Sequence, residues 1–176
     1  MLVISLAGKV LLIIAPENFR DEELFHTKEE LERAGVTTTV ASAKKAEARG
    51  MLGARVSPEI TLDQVRVDDY DGVVFVGGSG AAVYFKDRRA LAIASEAFKK
   101  GKKVGAICIA PVILANAGVL KGKRATVFPG DYVEMIESGG AIYQDKPVVV
   151  DGNVITANGP TAAREFGRAI AKALRG

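Results

Sequence analysis

Short apolar runs alternate with longer amphipathic segments along most of the chain. The apolar runs are rich in Val, Ile and Leu, while the longer segments repeat apolar residues every three or four positions. The first pattern is typical of buried parallel strands and the second of helices that pack on a sheet. Strands are predicted at residues 9–15, 36–41, 72–76, 103–107, 124–127, 147–150 and 154–157. Helices are predicted at residues 21–34, 88–100, 111–117 and 161–174.

Glycine and turn residues separate these elements. Gly35, Gly101 and Gly118 follow three of the predicted helices, as helix stop signals do. Residues 44–60 contain glycines and Pro58 and predict a hairpin or an irregular insert. The alternation predicts an α/β fold in which a mostly parallel sheet is sandwiched by helices on both faces.

Length and composition predict one domain spanning residues 1–176. The net charge of +3 is too small to indicate a nucleic-acid partner. No apolar run reaches the roughly 18 residues of a membrane span. The apolar start, residues 1–8, lacks the features of a signal peptide and is expected to lead into the first strand.

The chain has one cysteine, Cys108, and one histidine, His26. A single cysteine excludes a disulfide within the chain and gives no cysteine cluster for a structural zinc ion. A single histidine likewise excludes a metal site built from several histidines. We therefore expect no metal, a reducing compartment, and a cytoplasmic location.

Three loops follow predicted core strands and should meet at the carboxyl edge of the sheet: residues 16–23, residues 77–80 and the turn at Cys108. Cys108 lies between a strand and a helix that Pro111 opens, where free amides should lower the pKa of the thiol. The alternative is a small buried apolar side chain without chemistry.

Acidic residues and a glycine run occupy the other two loops. Glu23 is a candidate for proton transfer, although Asp21 and Glu22 share its helix turn and could equally serve to stabilise the helix. Gly77-Gly78-Ser79-Gly80 matches neither a phosphate-binding loop nor a dinucleotide fingerprint, so it is either a tight turn or a source of oxyanion-binding amides. His26 is expected to be exposed or locally hydrogen-bonded.

Four segments together resemble the ThiJ/PfpI superfamily, which contains intracellular peptidases, glyoxalases, deglycases and redox-stress proteins. They are residues 104–111 (VGAICIAP), 21–24 (DEEL), 76–78 (VGG) and 158–160 (NGP). The resemblance implies a flavodoxin-like fold, also shared with class I glutamine amidotransferases, and homodimers or assemblies of dimers. It also implies that Cys108 and Glu23 are catalytic.

The resemblance further implies that the amides of Gly78 and Ile109 bind an oxyanion, and that Gly77, Phe128 and Pro160 border the pocket. Ile109 and Phe128 stand where two branches of the superfamily carry histidine. A Cys–His mechanism therefore has no obvious base, and a Cys–Glu site is favoured.

These features predict a cysteine-dependent glyoxalase or deglycase acting on α-oxoaldehydes or their adducts, with no cofactor, nucleic-acid partner or membrane partner. An intracellular cysteine peptidase is the first alternative. A redox-stress sensor or chaperone without catalysis, in which Cys108 is oxidised, is the second.

Overall fold

The computed structural model describes residues 8–176 and contains a central seven-stranded sheet. The strands are β1 (Lys9–Ile13), β2 (Glu17–Phe19), β3 (Thr37–Ser42), β4 (Ala48–Gly50), β5 (Arg55–Val56), β6 (Ile60–Thr61), β7 (Gly72–Phe75), β8 (Lys103–Ile107), β9 (Arg124–Ala125), β10 (Ile142–Tyr143), β11 (Val148–Asp151) and β12 (Val154–Ala157). The helices are α1 (Asp21–Arg33), α2 (Arg88–Lys99), α3 (Pro111–Asn116), α4 (Asp131–Ser138) and α5 (Ala163–Leu174).

The central sheet has the order β11-β12-β8-β7-β1-β3-β6. Every neighbouring pair is parallel except β11 with β12, which are antiparallel. Helices cover both faces, since one apolar cluster joins the sheet to α2 and α3, and a second joins it to α1 and α5. The predicted fold class is therefore confirmed.

The parallel strands all direct their carboxyl ends to one edge of the sheet. The chain leaves β1 and enters β2, which pairs with β4 in a separate three-stranded sheet. The loops after β7 and β8 leave from this same edge, so the three loops singled out in the sequence share one end of the molecule.

Several elements differ from the sequence-based prediction. Residues 44–60 contain the antiparallel pair β4 and β5, in agreement with a hairpin. The strand predicted at residues 124–127 is shortened to β9, which pairs with β10 outside the central sheet. The sequence pattern missed β2, β10 and α4, because these are short and α4 buries only Ile136 among its own residues.

Residues 1–8 were expected to lead into the first strand, and residues 1–7 of that segment lie outside the described residues. Within residues 8–176, none of the helices has the length and apolar character needed to cross a bilayer.

Helix α1 is held closely against α5. A Cβ atom placed on Gly167 of α5 would lie 2.8 Å from Cβ of Glu30 and 2.9 Å from the carbonyl oxygen of Thr27. The buried Glu30 carboxylate also accepts a hydrogen bond of 2.9 Å from Arg164 of α5. Because α1 carries Glu23, this packing fixes where that side chain enters the core.

Gly167→Ala is expected to destabilise the protein by about 1–3 kcal/mol, because the added methyl group must separate α1 from α5. In an uncrowded helix the same change stabilises by roughly 0.5–1 kcal/mol. Urea unfolding of both proteins measures the difference. A more stable variant would contradict close packing at this point.

Candidate active site

Cys108 forms a strained turn between β8 and α3. Its φ is +66°, a left-handed conformation that is rare for residues other than glycine and costs on the order of 1–3 kcal/mol. Its N–H donates to the carbonyl oxygen of Ala157 at 2.9 Å, and its own carbonyl oxygen accepts from the N–H of Phe128 at 2.8 Å. The turn thus presents the side chain at the edge of the sheet, in agreement with the predicted strand-to-helix junction.

The three consecutive acidic residues of α1 make different contacts. Asp21 is buried and accepts the N–H groups of Leu52 and Ala54, at 3.0 and 2.9 Å, in the loop between β4 and β5. Glu22 pairs with Arg20 at 2.9 Å. Glu23 alone is completely buried and faces Cys108. The structure therefore distinguishes carboxylates that the sequence pattern left as alternatives.

Gly77 leaves the space in which Glu23 and Cys108 meet. A Cβ atom at this position would overlap Oε1 of Glu23 and would lie 2.5 Å from both Cβ of Cys108 and the carbonyl oxygen of Ile107. Any side chain here would separate the carboxyl group from the cysteine. The glycine is required by this close approach. It was expected to border the pocket, but the residues that line the pocket do not include it.

The Glu23 carboxyl group has an unusual environment. Both oxygens are buried, and neither makes a hydrogen bond of standard geometry to a described residue, although the Cys108 thiol and the Gly77 N–H lie close by. Burial raises the pKa of Glu23 to about 8, although the Cys108 thiol and the Gly77 amide act in the opposite direction. Glu23 is therefore protonated at neutral pH and loses its proton a little above it.

Cys108 does not have the low pKa that its position in the sequence suggested. Burial raises the pKa of the thiol to about 12, and repulsion by an ionised Glu23 acts in the same direction. The amides of Gly78 and Ile109 act against this rise but do not overcome it. The prediction that the start of the helix lowers the pKa of the thiol is therefore wrong in direction, because it left out desolvation and the neighbouring carboxylate. The repulsion by that carboxylate vanishes when Glu23 is protonated.

Cys108 opens into a pocket of about 200 Å³. Four of the other residues predicted for the site line it: Gly78, Ile109, Phe128 and Pro160. The remaining wall residues are Arg20, Met51, Ser79 and Tyr132.

These four residues were not named as pocket residues in the sequence analysis. Tyr132 lies in the overlooked helix α4, and Met51 lies in the loop between β4 and β5. Arg20 lies within the predicted loop 16–23 and Ser79 within the predicted loop 77–80, so membership of these loops was the available signal. The pocket is mainly apolar, with one cationic side chain at its wall.

His26 does not reach this pocket. It lines a separate cleft of about 640 Å³, together with Arg164, Arg168 and others, and this cleft shares only Arg20 and Pro160 with the Cys108 pocket. Residues 8–176 contain no group of three or more His, Cys, Asp or Glu side chains placed to hold a metal ion.

The fold and the site define a class: an α/β protein with a cysteine on a left-handed turn and a buried glutamate beside it. The DJ-1/PfpI family model matches residues 8–173. The chain belongs to the DJ-1/PfpI family.

Individual proteins show the same similarity. A deglycase of Pyrococcus abyssi is 34% identical over 164 residues, which cover 93% of this chain and 98% of that protein. A glutathione-independent glyoxalase of Caenorhabditis elegans is 30% identical over 166 residues, covering 94% and 88% respectively. A ThiJ/PfpI domain protein from Brachyspira murdochii has a solved structure that superposes with a TM-score of 0.92 at 34% identity, covering 95% of this chain and 96% of that one.

Alkylation of Cys108 by iodoacetamide should accelerate as the pH rises toward about 8, because the Cys–Glu pair loses its first proton there. The rate should then level off while the pair holds one proton, and rise again as the pH approaches about 12. In Glu23→Gln no carboxyl group titrates, so this plateau should disappear. Glu29→Gln, an exposed position on the same helix, is the control and should retain the wild-type profile. A wild-type plateau reached already near pH 6, or an unchanged profile in Glu23→Gln, would contradict the assignment.

The stability of the protein should also depend on Glu23. The carboxyl pKa rises from 4.5 to about 8 on folding, so between these values the folded state binds more protons than the unfolded state. The Glu23 contribution to stability is fully present below pH 4.5 and is lost as the pH rises through about 8. In Glu23→Gln the free energy of unfolding should therefore fall less as the pH rises, with a difference of a few kcal/mol at most from the wild type. Urea unfolding of both proteins at pH 5 and pH 8.5 tests the prediction. An identical decrease in the free energy of unfolding in the two proteins would disprove it.

Proposed function

We propose that the protein is a cysteine-dependent enzyme of the glyoxalase or deglycase type, which converts α-oxoaldehydes, or their adducts with amines and thiols, to hydroxy acids. The observation that carries this proposal is the buried carboxyl group of Glu23 beside Cys108, which itself lines a small pocket. A thiol and one proton-transferring carboxyl group are sufficient for this chemistry, with no cofactor.

The first step with methylglyoxal is addition of Cys108. The sulfur electron pair forms a C–S bond to the aldehyde carbon, and the carbonyl π electrons move to oxygen. The thiol proton passes to that oxygen through Glu23, which gives a hemithioacetal. The amides of Gly78 and Ile109 stabilise negative charge at the sulfur before addition and are suited to bind the developing oxyanion.

The second step moves a proton between adjacent carbons. Glu23 removes the proton from the former aldehyde carbon, the ketone oxygen takes up a proton, and an enediol forms. Protonation of the second carbon and loss of the hydroxyl proton from the first give a lactate thioester on Cys108. Water then cleaves the C–S bond and restores the thiol proton, so methylglyoxal and water become lactic acid without an oxidant.

The pKa of Glu23 suits this relay. A carboxyl group with a pKa of about 8 holds a proton at neutral pH and releases it at small cost, so it can act as acid and base in turn. The names of the deglycase and glyoxalase relatives agree with an activity of this type.

Peptide cleavage fits the site less well. Amide hydrolysis needs an acid that protonates a poor leaving nitrogen, a role in which histidine is usual. His26 lines a different cleft, and the pocket at Cys108 holds only about 200 Å³. A small aldehyde or adduct, and a second copy of this chain, remain the partners that we propose.

Lactate formation from methylglyoxal is the test, compared with cleavage of casein and fluorogenic peptides by the same preparation. Cys108→Ser should abolish turnover, and Glu23→Gln should lower kcat by about 10²–10⁴, because general acid–base catalysis is lost. Glu29→Gln should behave as the wild type.

Cysteine-dependent peptide cleavage without aldehyde turnover would favour the peptidase. Neither activity, with Cys108 readily oxidised to a sulfinate, would favour the redox sensor.

A further inference from the structure

Arg20 is the one charged side chain in the wall of the Cys108 pocket, as the described residues form it. The rest of the wall is apolar or uncharged, with Met51, Phe128 and Tyr132 supplying most of the large side chains. Arg20 also lies near enough to Cys108 and Glu23 that these groups, once ionised, raise its own pKa, although its hydrogen bond to Glu22 contributes more. A cation here would act directly on anything bound at the sulfur.

Glu22 holds one edge of the guanidinium group. Nε and Nη2 of Arg20 donate to the two carboxylate oxygens of Glu22, at 2.9 and 3.1 Å. A guanidinium group has five N–H donors, and this pair uses two of them. The other three make no hydrogen bond to any residue between positions 8 and 176. They include both donors of Nη1 and form a second edge that can bind a planar carboxylate through two hydrogen bonds.

The position of this free edge is also restricted. The Arg20 N–H donates to the carbonyl oxygen of Gly77 at 2.9 Å, so the backbone of Arg20 is tied to the glycine that leaves room for Glu23 to meet Cys108. The Arg20 side chain remains partly exposed, at 30%. The guanidinium group is therefore fixed at the backbone and at one edge while staying accessible to a ligand.

We propose that Arg20 is a specificity-determining residue that binds a carboxylate group on the substrate held at Cys108. This inference rests on the proposed function and narrows its substrate class to α-oxoaldehydes that carry a carboxylate beyond the ketone carbon. The small pocket keeps both ends of such a molecule close together, with its aldehyde at the thiol and its carboxylate at Arg20.

Two alkylating agents test the anion site without requiring catalysis. Iodoacetate and iodoacetamide have nearly the same size, and with each the thiolate displaces iodide to form a C–S bond. Only iodoacetate carries a carboxylate. Because the chain contains one cysteine, all labelling of thiols reports on Cys108.

The rate ratio of iodoacetate to iodoacetamide should be higher for the wild type than for free cysteine at the same ionic strength. In Arg20→Met the ratio should fall about fivefold, as expected for a partly exposed charge-assisted contact. Arg20→Lys keeps the charge but loses the planar fork, so its ratio should be intermediate. Arg168→Met is the matched control, because Arg168 lines the neighbouring cleft but not the Cys108 pocket, and its ratio should match the wild type.

Circular dichroism melting of each variant shows that the rates refer to folded protein, and Arg20→Lys supports the test if Arg20→Met fails to fold. Equal slowing of both reagents in Arg20→Met would overturn the proposal, because the residue would then act on the thiol and not on the carboxylate.

A substrate pair separates this inference from the proposed function. Wild-type kcat/KM should be higher for 4,5-dioxopentanoate than for its methyl ester, and Arg20→Met should lose that preference. A falling alkylation ratio without turnover of any aldehyde would support the carboxylate site and reject the catalytic function. Turnover of methylglyoxal, with no preference for the acid and no change in ratio, would support the function and reject the carboxylate site.

Discussion

The site depends on a carboxyl group that is buried beside a thiol and that makes no hydrogen bond of standard geometry to the described residues. An unpartnered buried carboxyl is unfavourable for folding, and the molecule reduces this cost by keeping the group protonated at neutral pH. Two acidic groups in contact cannot both ionise easily, so they titrate as a pair that holds one proton over a wide pH range. This shared proton is what a transfer reaction between neighbouring atoms needs.

The surrounding structure maintains that arrangement at several points. The left-handed turn at Cys108 is strained and is held by hydrogen bonds to Ala157 and Phe128, which belong to two different segments of the chain. Gly77 supplies the missing volume, and the contact of α1 with α5 through Gly167 sets the depth of Glu23. Strain and desolvation at the site are thus offset by packing elsewhere, a pattern common where structure serves function.

The three acidic residues at the start of α1 show how one short segment performs separate tasks. Asp21 fixes the loop that brings Met51 to the pocket wall, Glu22 orients Arg20, and Glu23 enters the core beside the cysteine. A single helix turn points its successive side chains about 100° apart, so neighbours in sequence reach different surroundings. The pocket accordingly combines a cysteine that lies beside a buried carboxyl group with a cation in its wall.

The sequence alone determined the alternation of strands and helices, the parallel sheet and the junction at Cys108, because these follow from local periodicity and turn residues. Resemblance to a known family singled out Glu23 where the pattern allowed Asp21 and Glu22 as well. Only the tertiary structure decided which carboxyl group is buried, that the thiol pKa moves upward, that His26 lies apart from the pocket and that Arg20, Met51 and Tyr132 complete it. Burial and proximity arise from segments far apart in the chain, and local sequence patterns carry no information about desolvation or about which distant atoms meet.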